Sequence, residues 1–348
     1  VIDDVAVRVL KVPTEAPESD GTLEWSATTV VVAEPVADGV RGLGFTYGSP
    51  ACAGVIEHHL REVVVGADPM DVPGAWARMV RAVRNVGRPG VASMAIAAVD
   101  VGLWDLKAKL LDLPLAVLLG RCRDRVPVYG SGGFTSYGDH ELADRMAAWV
   151  ERGVPRVKMK VGRGRDVERV ALVRAAIGDE VELFVDANGA YTCKQAVRLA
   201  AAFADQGVTW FEEPVSSDDL AGLHEVRAAT RLDVAAGEYG SDLAYFERMA
   251  AAGAVDVLQA DVSRCAGITE WLRVAAVAAA HGLDVSGHCA PSLHLHAACA
   301  VPNLRHLEHF HDHVRVEHQL FDGVVDPVDG CLAPDLSRPG LGLALRDA

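Results

Sequence analysis

Apolar and polar positions change rhythm twice along this chain. Residues 4–12 alternate as DVAVRVLKV, and 26–34 (SATTVVVAE) and 40–48 (VRGLGFTYG) are further strand-like stretches between Pro and Gly turns, which predicts a three-stranded meander. The stretch between the first two, PTEAPESDGTLEW at 13–25, is too rich in Pro, Gly and acid to pack; it is expected to be a polar loop and a candidate flexible flap. From Asp71 to Gly120 the period lengthens to that of a helix. This is clearest in VASMAIAAVDVGLWDLKAKLLDLP, where apolar residues recur three and four apart until Pro114 breaks the run. A small α+β domain accounts for residues 1–125.

After Val126 short apolar strands and Ala-rich helical segments alternate. The predicted strands are 126–130, 155–161, 181–186, 208–212, 234–238, 255–261, 284–288 and 305–309, and segments such as DVERVALVRAAIG and ITEWLRVAAVAAAHG each close near a Gly. Eight strand-helix units in about 200 residues fit an α/β barrel over 126–330. With the last helix short or displaced, this is a modified TIM barrel of (β/α)7β-like form. The segment 331–348, with GLALR after Pro339, is expected to return to the small domain. A doubly wound sheet would need fewer units and a glycine-rich phosphate loop, and SGGFTSYG at 131–138 is not GxGxxG.

Composition narrows the function classes. The chain of 348 residues is half apolar, enough for a large core and a second smaller one, so a disordered or disulfide-scaffold protein is excluded. A formal charge of −15 argues against nucleic acid or an anionic membrane as partner. Seven scattered cysteines without a CxxC pair read as reduced thiols, and no leader or long apolar run is present, so a soluble cytoplasmic protein is expected. There are only six lysines against 27 arginines, and two of the six are Lys158 and Lys160. Lysine, unlike arginine, can be tuned into a base near neutral pH.

The C-terminal strand ends carry Lys160, Asp186, Glu212, Glu238, Asp261, His288 and Glu308. In a barrel these would surround one cavity, since active sites of that fold are built from the ends of different strands. Asp186, Glu212 and Glu238 on adjacent strands would repel one another unless a cation lay between them, and an all-oxygen set favours Mg2+, with Mn2+ as substitute. Lys158 and Lys160 point the same way from their strand. One ammonium would lower the pKa of the other, and the metal would lower it further, freeing Lys160 to take a proton. His288 with Asp261 would supply a second acid or base on the opposite face of a substrate. His294, His296, His306, His309, His311, His313 and His318 are expected to line loops or helices, and none is assigned to the metal. Such a site suits removal of a proton next to a carboxylate.

These residues resemble the enolase superfamily, specifically its mandelate racemase group, along nearly the whole chain. The helix AAVDVGLWDLKAKLLDLPLAVLLG resembles the end of the capping domain, and VKMK resembles the KxK motif of the second barrel strand. VDANG, FEEP and AGE resemble the three metal-ligand strands, and QADVSRCAGITEW, SGH and HLEHF resemble strands six to eight. The resemblance implies Lys160 as base with Lys158 beside the substrate carboxylate. Asp186, Glu212 and Glu238 would be Mg2+ ligands with Glu213 as their neighbour, His288 and Asp261 the opposing dyad, Glu308 the acid that hydrogen-bonds the enolate oxygen, and Asn188 a polar group near metal and substrate. It also implies a homo-oligomer, a dimer or octamer. The muconate-lactonizing branch carries a lysine on the sixth strand that Asp261 and Arg264 do not supply, which disfavours cycloisomerase and dipeptide epimerase readings.

In this family the flap and the loop after the first barrel strand select the substrate. Here they are polar, with Thr14, Glu15, Glu18, Ser19 and Asp20, then Ser131, Thr135, Ser136 and Tyr137. That inclines the reading to an acid-sugar dehydratase, with Ser136 and Tyr137 as substrate contacts, although Trp25, Phe134 and Tyr137 keep an aromatic or hydrophobic acid open. A racemase or epimerase of a 2-hydroxy acid and a non-catalytic binding barrel are the alternatives.

Overall fold

The structure, a computed structural model, describes residues 1–346; the last two residues of the expected C-terminal segment lie outside it. The chain begins with an antiparallel sheet of β1 (Asp4–Ser19), β2 (Glu24–Ala37), β3 (Val40–Arg41) and β4 (Gly44–Tyr47), in which β2 pairs with the other three. Alternation lets one sheet face bury Val5, Val31 and Ala33 against helices at Val72–Ala82 and Val91–Leu110. A further helical run at residues 51–64 was not anticipated. Its buried Cys52, Ile56, Leu60 and Val64 are spaced by four, a signal that the short ACAGVIEHHLREVV segment does carry.

The stretch read as an unpacked flap is instead ordered hairpin. β1 continues through it to Ser19, with an irregularity between Pro13 and Glu18, and only a short turn intervenes before β2. The Asp20 carboxylate accepts from the Thr22 and Leu23 amides at 2.6 and 2.7 Å and so closes the turn, the local device that favours Asp there. The tip then docks on the barrel, where the Thr135 amide donates to Ser19 O at 2.8 Å and the Thr135 hydroxyl to Asp20 O at 2.7 Å. Polar residues pack here because Ser19, Asp20 and Thr135 find partners in one another.

The barrel strands are β5 (Val126–Ser131), β6 (Arg156–Lys160), β7 (Glu182–Asp186), β8 (Val208–Glu212), β9 (Asp233–Ala236), β10 (Val257–Ala260), β11 (Asp284–Gly287) and β12 (Leu304–Phe310). They pair in parallel in chain order, and β12 closes on β5. A short last helix, His311–Leu320, follows β12, as the (β/α)7β-like reading with its final helix short or displaced expects. It is displaced toward the small domain, where Tyr47 stacks on His313 with ring centroids 3.5 Å apart. The segment after residue 330 has two destinations. Cys331–Leu332 pairs with β5, and near Gly340 the chain meets the small domain through Leu341 N–H donating to Asp105 at 2.6 Å.

Period-two alternation decides what faces into the barrel. Tyr129, Phe184, Trp210, Ala235 and Val257 form a buried internal cluster, and two residues further along their strands Phe184 and Trp210 are followed by Asp186 and Glu212. The chemistry therefore sits on an apolar floor. The small domain is fastened to the loop after β10, where Thr46 donates to Ser263 O at 2.7 Å and Trp76 Nε1 to Ala266 O at 2.9 Å. Among the described residues no helix is long and apolar enough to cross a membrane.

Candidate active site

Register brings the strand-end residues to one level. Lys160 is paired with Asp186, and Asp186 with Glu212, across β6, β7 and β8. Glu238 lies just beyond β9 and reaches the same level through Gly237, whose φ of +131° and close approach to Gln259 O leave no room for a Cβ. One oxygen from each of Asp186, Glu212 and Glu238 lies within 4.8 Å of the others. Asn188, Glu213 and Cys289 all have positive φ and each follows Asp186, Glu212 or His288 within two residues, so backbone strain concentrates at these turns.

The carboxylates are buried and held by specific donors. Lys158 Nζ, fully buried, lies 2.6 Å from Glu212, 2.9 Å from Glu308 and 3.3 Å from Asp186, while Lys160 Nζ lies 2.5 Å from Asp186. Trp210 Nε1 donates to the other Glu212 oxygen at 3.0 Å, and the Asn188 amide donates to Asp186 at 2.9 Å. Burial and the charge of Asp186 push Glu212 up to about 8. Burial and Glu238 push Glu213 well above the carboxylate range, which keeps it neutral.

The lysine pair behaves only in part as the sequence suggests. Burial, the largest influence, and Lys158 favour deprotonation of Lys160, but the carboxylates of Asp186, Glu238 and Glu212 together outweigh them and hold its pKa above the ordinary lysine value. The paired ammonium does depress Lys160 as expected, but without the charge of a cation at the cluster the surrounding carboxylates outweigh it.

From the other side of the cavity, His288 Nδ1 donates to Asp261 at 2.8 Å, and its Nε2 lies 3.2 Å from Glu238. Burial opposes ionisation of Asp261, yet the hydrogen bond from His288 and the charges of His288 and Arg264 bring it down to about 2. The Cys289 amide donates to Glu308 at 2.9 Å, so Glu308 bridges Lys158 and the turn after His288. Sequence reasoning gave no role to Arg264 and Cys289. Arg264 contacts Glu238 at 3.1 Å, and the Cys289 sulfur lies 3.3 Å from His288 Nε2.

The donor set fits a hard divalent cation. Asp186, Glu212 and Glu238 bring three carboxylates together, and Glu238 Oε2 is buried with no well-formed hydrogen bond, His288 Nε2 lying 3.2 Å away. His288, Cys289 and Glu308 also lie close enough to share an ion, but they mix nitrogen, sulfur and oxygen, so the three carboxylates are the better set for a hard cation. Of the other histidines, His306 and His309 lie on β12 and the rest in helices. His294 and His296 accept the Val262 and Ala116 amides.

A cavity of about 380 Å³ is lined by Lys160, Asn188, Glu238, Arg264 and His288 at the strand ends and closed by Asp20, Trp25, Thr28, Asp312 and His313. Of the expected substrate contacts only Asn188 lines it; Lys158 and Glu308 are fully buried and paired with each other, and two more lie elsewhere. Ser136 is exposed, and Tyr137 lines a separate small cavity with Arg145, Trp149 and His311, because the loop after β5 turns away into the next helix. Thr28, Asp312 and His313 take up the wall instead. They escaped notice because they become neighbours only when β2 meets the turn after β12.

Comparison with known proteins agrees with this architecture. The family model described as the mandelate racemase / muconate lactonizing enzyme N-terminal domain matches residues 5–120, and the enolase C-terminal domain-like model matches 141–348. A mandelate racemase/muconate lactonizing enzyme-like protein from Rubrobacter xylanophilus is 52% identical with a TM-score of 0.97, over 99% of this chain and 97% of that one. L-talarate/galactarate dehydratase from Salmonella typhimurium LT2, solved with Mg and L-lyxarohydroxamate, is 32% identical with a TM-score of 0.91, over 99% and 91%. The 3,6-anhydro-alpha-L-galactonate cycloisomerase of Streptomyces coelicolor is 33% identical over 99% of this chain and 97% of its own. Cycloisomerases therefore stand among the relatives although this chain has no lysine at the sixth strand end.

Proposed function

The chain belongs to the mandelate racemase/muconate lactonizing enzyme family of the enolase superfamily, and from that premise we propose that it is an enzyme dehydrating an acid sugar to a 2-keto-3-deoxy acid with Mg2+ at Asp186, Glu212 and Glu238. The observation that carries this reading is the opposition of Lys160 and the His288–Asp261 dyad across one buried carboxylate cluster. Mn2+ would serve in the same all-oxygen set.

When bound, the divalent cation supplies positive charge at the cluster, stabilising charge that develops on the substrate carboxylate and offsetting the field that keeps Lys160 protonated. Lys158, reaching Glu212 and Glu308, holds the carboxylate end of the substrate in place. The C–H bond α to that carboxylate breaks, its proton passes to Lys160 or His288 according to the substrate's configuration, and the electron pair remains on the substrate as an enolate. The β C–O bond then breaks as His288, oriented through Nδ1 by Asp261, donates a proton to the departing hydroxyl. Water leaves and the enol tautomerises to the keto acid. Excluding bulk water is the task of the capping hairpin, which covers the strand ends.

The same two opposed groups favour a second reading, in which His288 returns the proton to the face opposite Lys160 and the stereocentre inverts. Incubating a panel of acid sugars with the protein and Mg2+ and following keto-acid formation separates the two. A product lighter by one water supports dehydration; epimerised substrate of unchanged mass refutes it.

A further inference from the structure

The cavity has two chemically different walls. The two basic side chains that line it besides histidine, Lys160 and Arg264, stand at the strand ends, where they already face Asp186 and Glu238. The other wall comes from the capping hairpin and the start of the helix after β12, and its Trp25 and Thr28 donors are engaged by carboxylates. Trp25 Nε1 donates to Glu18 at 2.9 Å, and the Thr28 hydroxyl donates to Asp312. Asp20 contributes a further carboxylate to the same wall. His313 accepts the Ala290 amide at Nδ1, 3.2 Å away, and burial lowers it to about 4, so it offers a neutral N–H.

Two arginines lie behind this wall and outside the cavity lining. Arg315 pairs with Asp312 at 2.7 Å and also donates to Pro13 O, and Arg163 donates to the Asp20 carbonyl at 3.1 Å. Burial and the charge of Asp312 push Glu18 up to about 7, which marks the wall as a place where further negative charge is unwelcome.

We propose that the site selects acid sugars bearing a single carboxylate, whose uncharged polyol end lies along the hairpin wall, and discriminates against the matching diacids. This rests on the acid-sugar reading above and adds to it. Hydroxyl groups donate, and the wall presents acceptors at Asp20 and Asp312. A second carboxylate only accepts, and would meet those two side chains with no lysine or arginine on that wall of the lining to receive it, Lys160 and Arg264 standing on the other.

Matched aldonate and aldarate pairs of the same configuration, titrated calorimetrically into the Mg2+-loaded protein and assayed for turnover, test this directly. At least one monoacid is expected to bind and react better than its diacid by about tenfold or more, and Asp312→Asn, whose amide oxygen can still accept from Thr28, is expected to narrow that gap. Diacids binding as well as or better than their monoacids, or no binding by any monoacid, would overturn the proposal. Failure of the dehydration reading looks different: the monoacid preference in binding persists while no keto acid forms from either member of a pair.

Discussion

Replacing Asp261 by Asn is the perturbation that most cleanly separates the two faces of the site. The amide oxygen can still accept from His288 Nδ1 and so keep the ring oriented, while the negative charge is lost. The distance of Asp261 from its ordinary value of 3.8, brought down to about 2, measures what that charge contributes. A difference of that size is on the order of 2 kcal/mol, the net of burial, which opposes ionisation, and of His288 and Arg264, which favour it, so roughly tenfold or more is expected in a step that needs the imidazolium. The assay is deuterium exchange at the α-carbon from D2O, followed by proton NMR on substrates of both α configurations. Exchange through His288 is expected to fall by roughly tenfold or more while exchange through Lys160, on the opposite face, falls by less than about threefold. An equal loss on both faces, or a loss below about fivefold on the His288 face, would refute the assignment of the dyad.

Glu212→Gln removes one of the three clustered carboxylates and the principal partner of Lys158, so α-exchange should be abolished and the rise in melting temperature on adding Mg2+ should shrink; unchanged exchange would exclude the cluster from catalysis. Gly237→Ala should destabilise the fold by roughly 3–5 kcal/mol in urea denaturation, because a Cβ would lie 2.2 Å from Gln259 O at a φ of +131°. Asp100 is fully buried and held at about 7 by burial, against hydrogen bonds from the Thr269 amide and hydroxyl. Its folded pKa lies above its unfolded one, so its contribution to stability is present below about pH 4 and is lost as pH rises through about 7, at up to about 1.4 kcal/mol per pH unit. Denaturation of Asp100→Asn between pH 5 and 8 should show a shallower decline than the wild type, and an unchanged slope would contradict this.

The barrel and the centre of its site were legible in sequence for a physical reason. Strand ends recur at the spacing of one strand-helix unit, so Lys160, Asp186 and Glu212, each 26 residues from the next, could be placed at one level before any contact was known, and the strand register does so. The helix at 51–64 was hidden by its brevity and by two histidines on its solvent side. The hairpin at 13–25 was misjudged because composition predicts a loop only where polar groups lack partners. Ser19, Asp20 and Thr135 satisfy one another across more than a hundred residues of sequence. Thr28, Asp312 and His313 carried no local signal at all, since a cavity wall built from two domains has no spacing to recognise.

The central claim is cation-assisted removal of the proton α to a substrate carboxylate, and the most direct measurement is solvent deuterium entering that position across an acid-sugar panel, with Mg2+ and after chelation. The account predicts α-exchange or loss of water for at least one acid when Mg2+ is present, none after chelation, and recovery when Mg2+ is restored. Exchange that persists unchanged through chelation, or none on any acid in a protein shown to bind Mg2+, would contradict it.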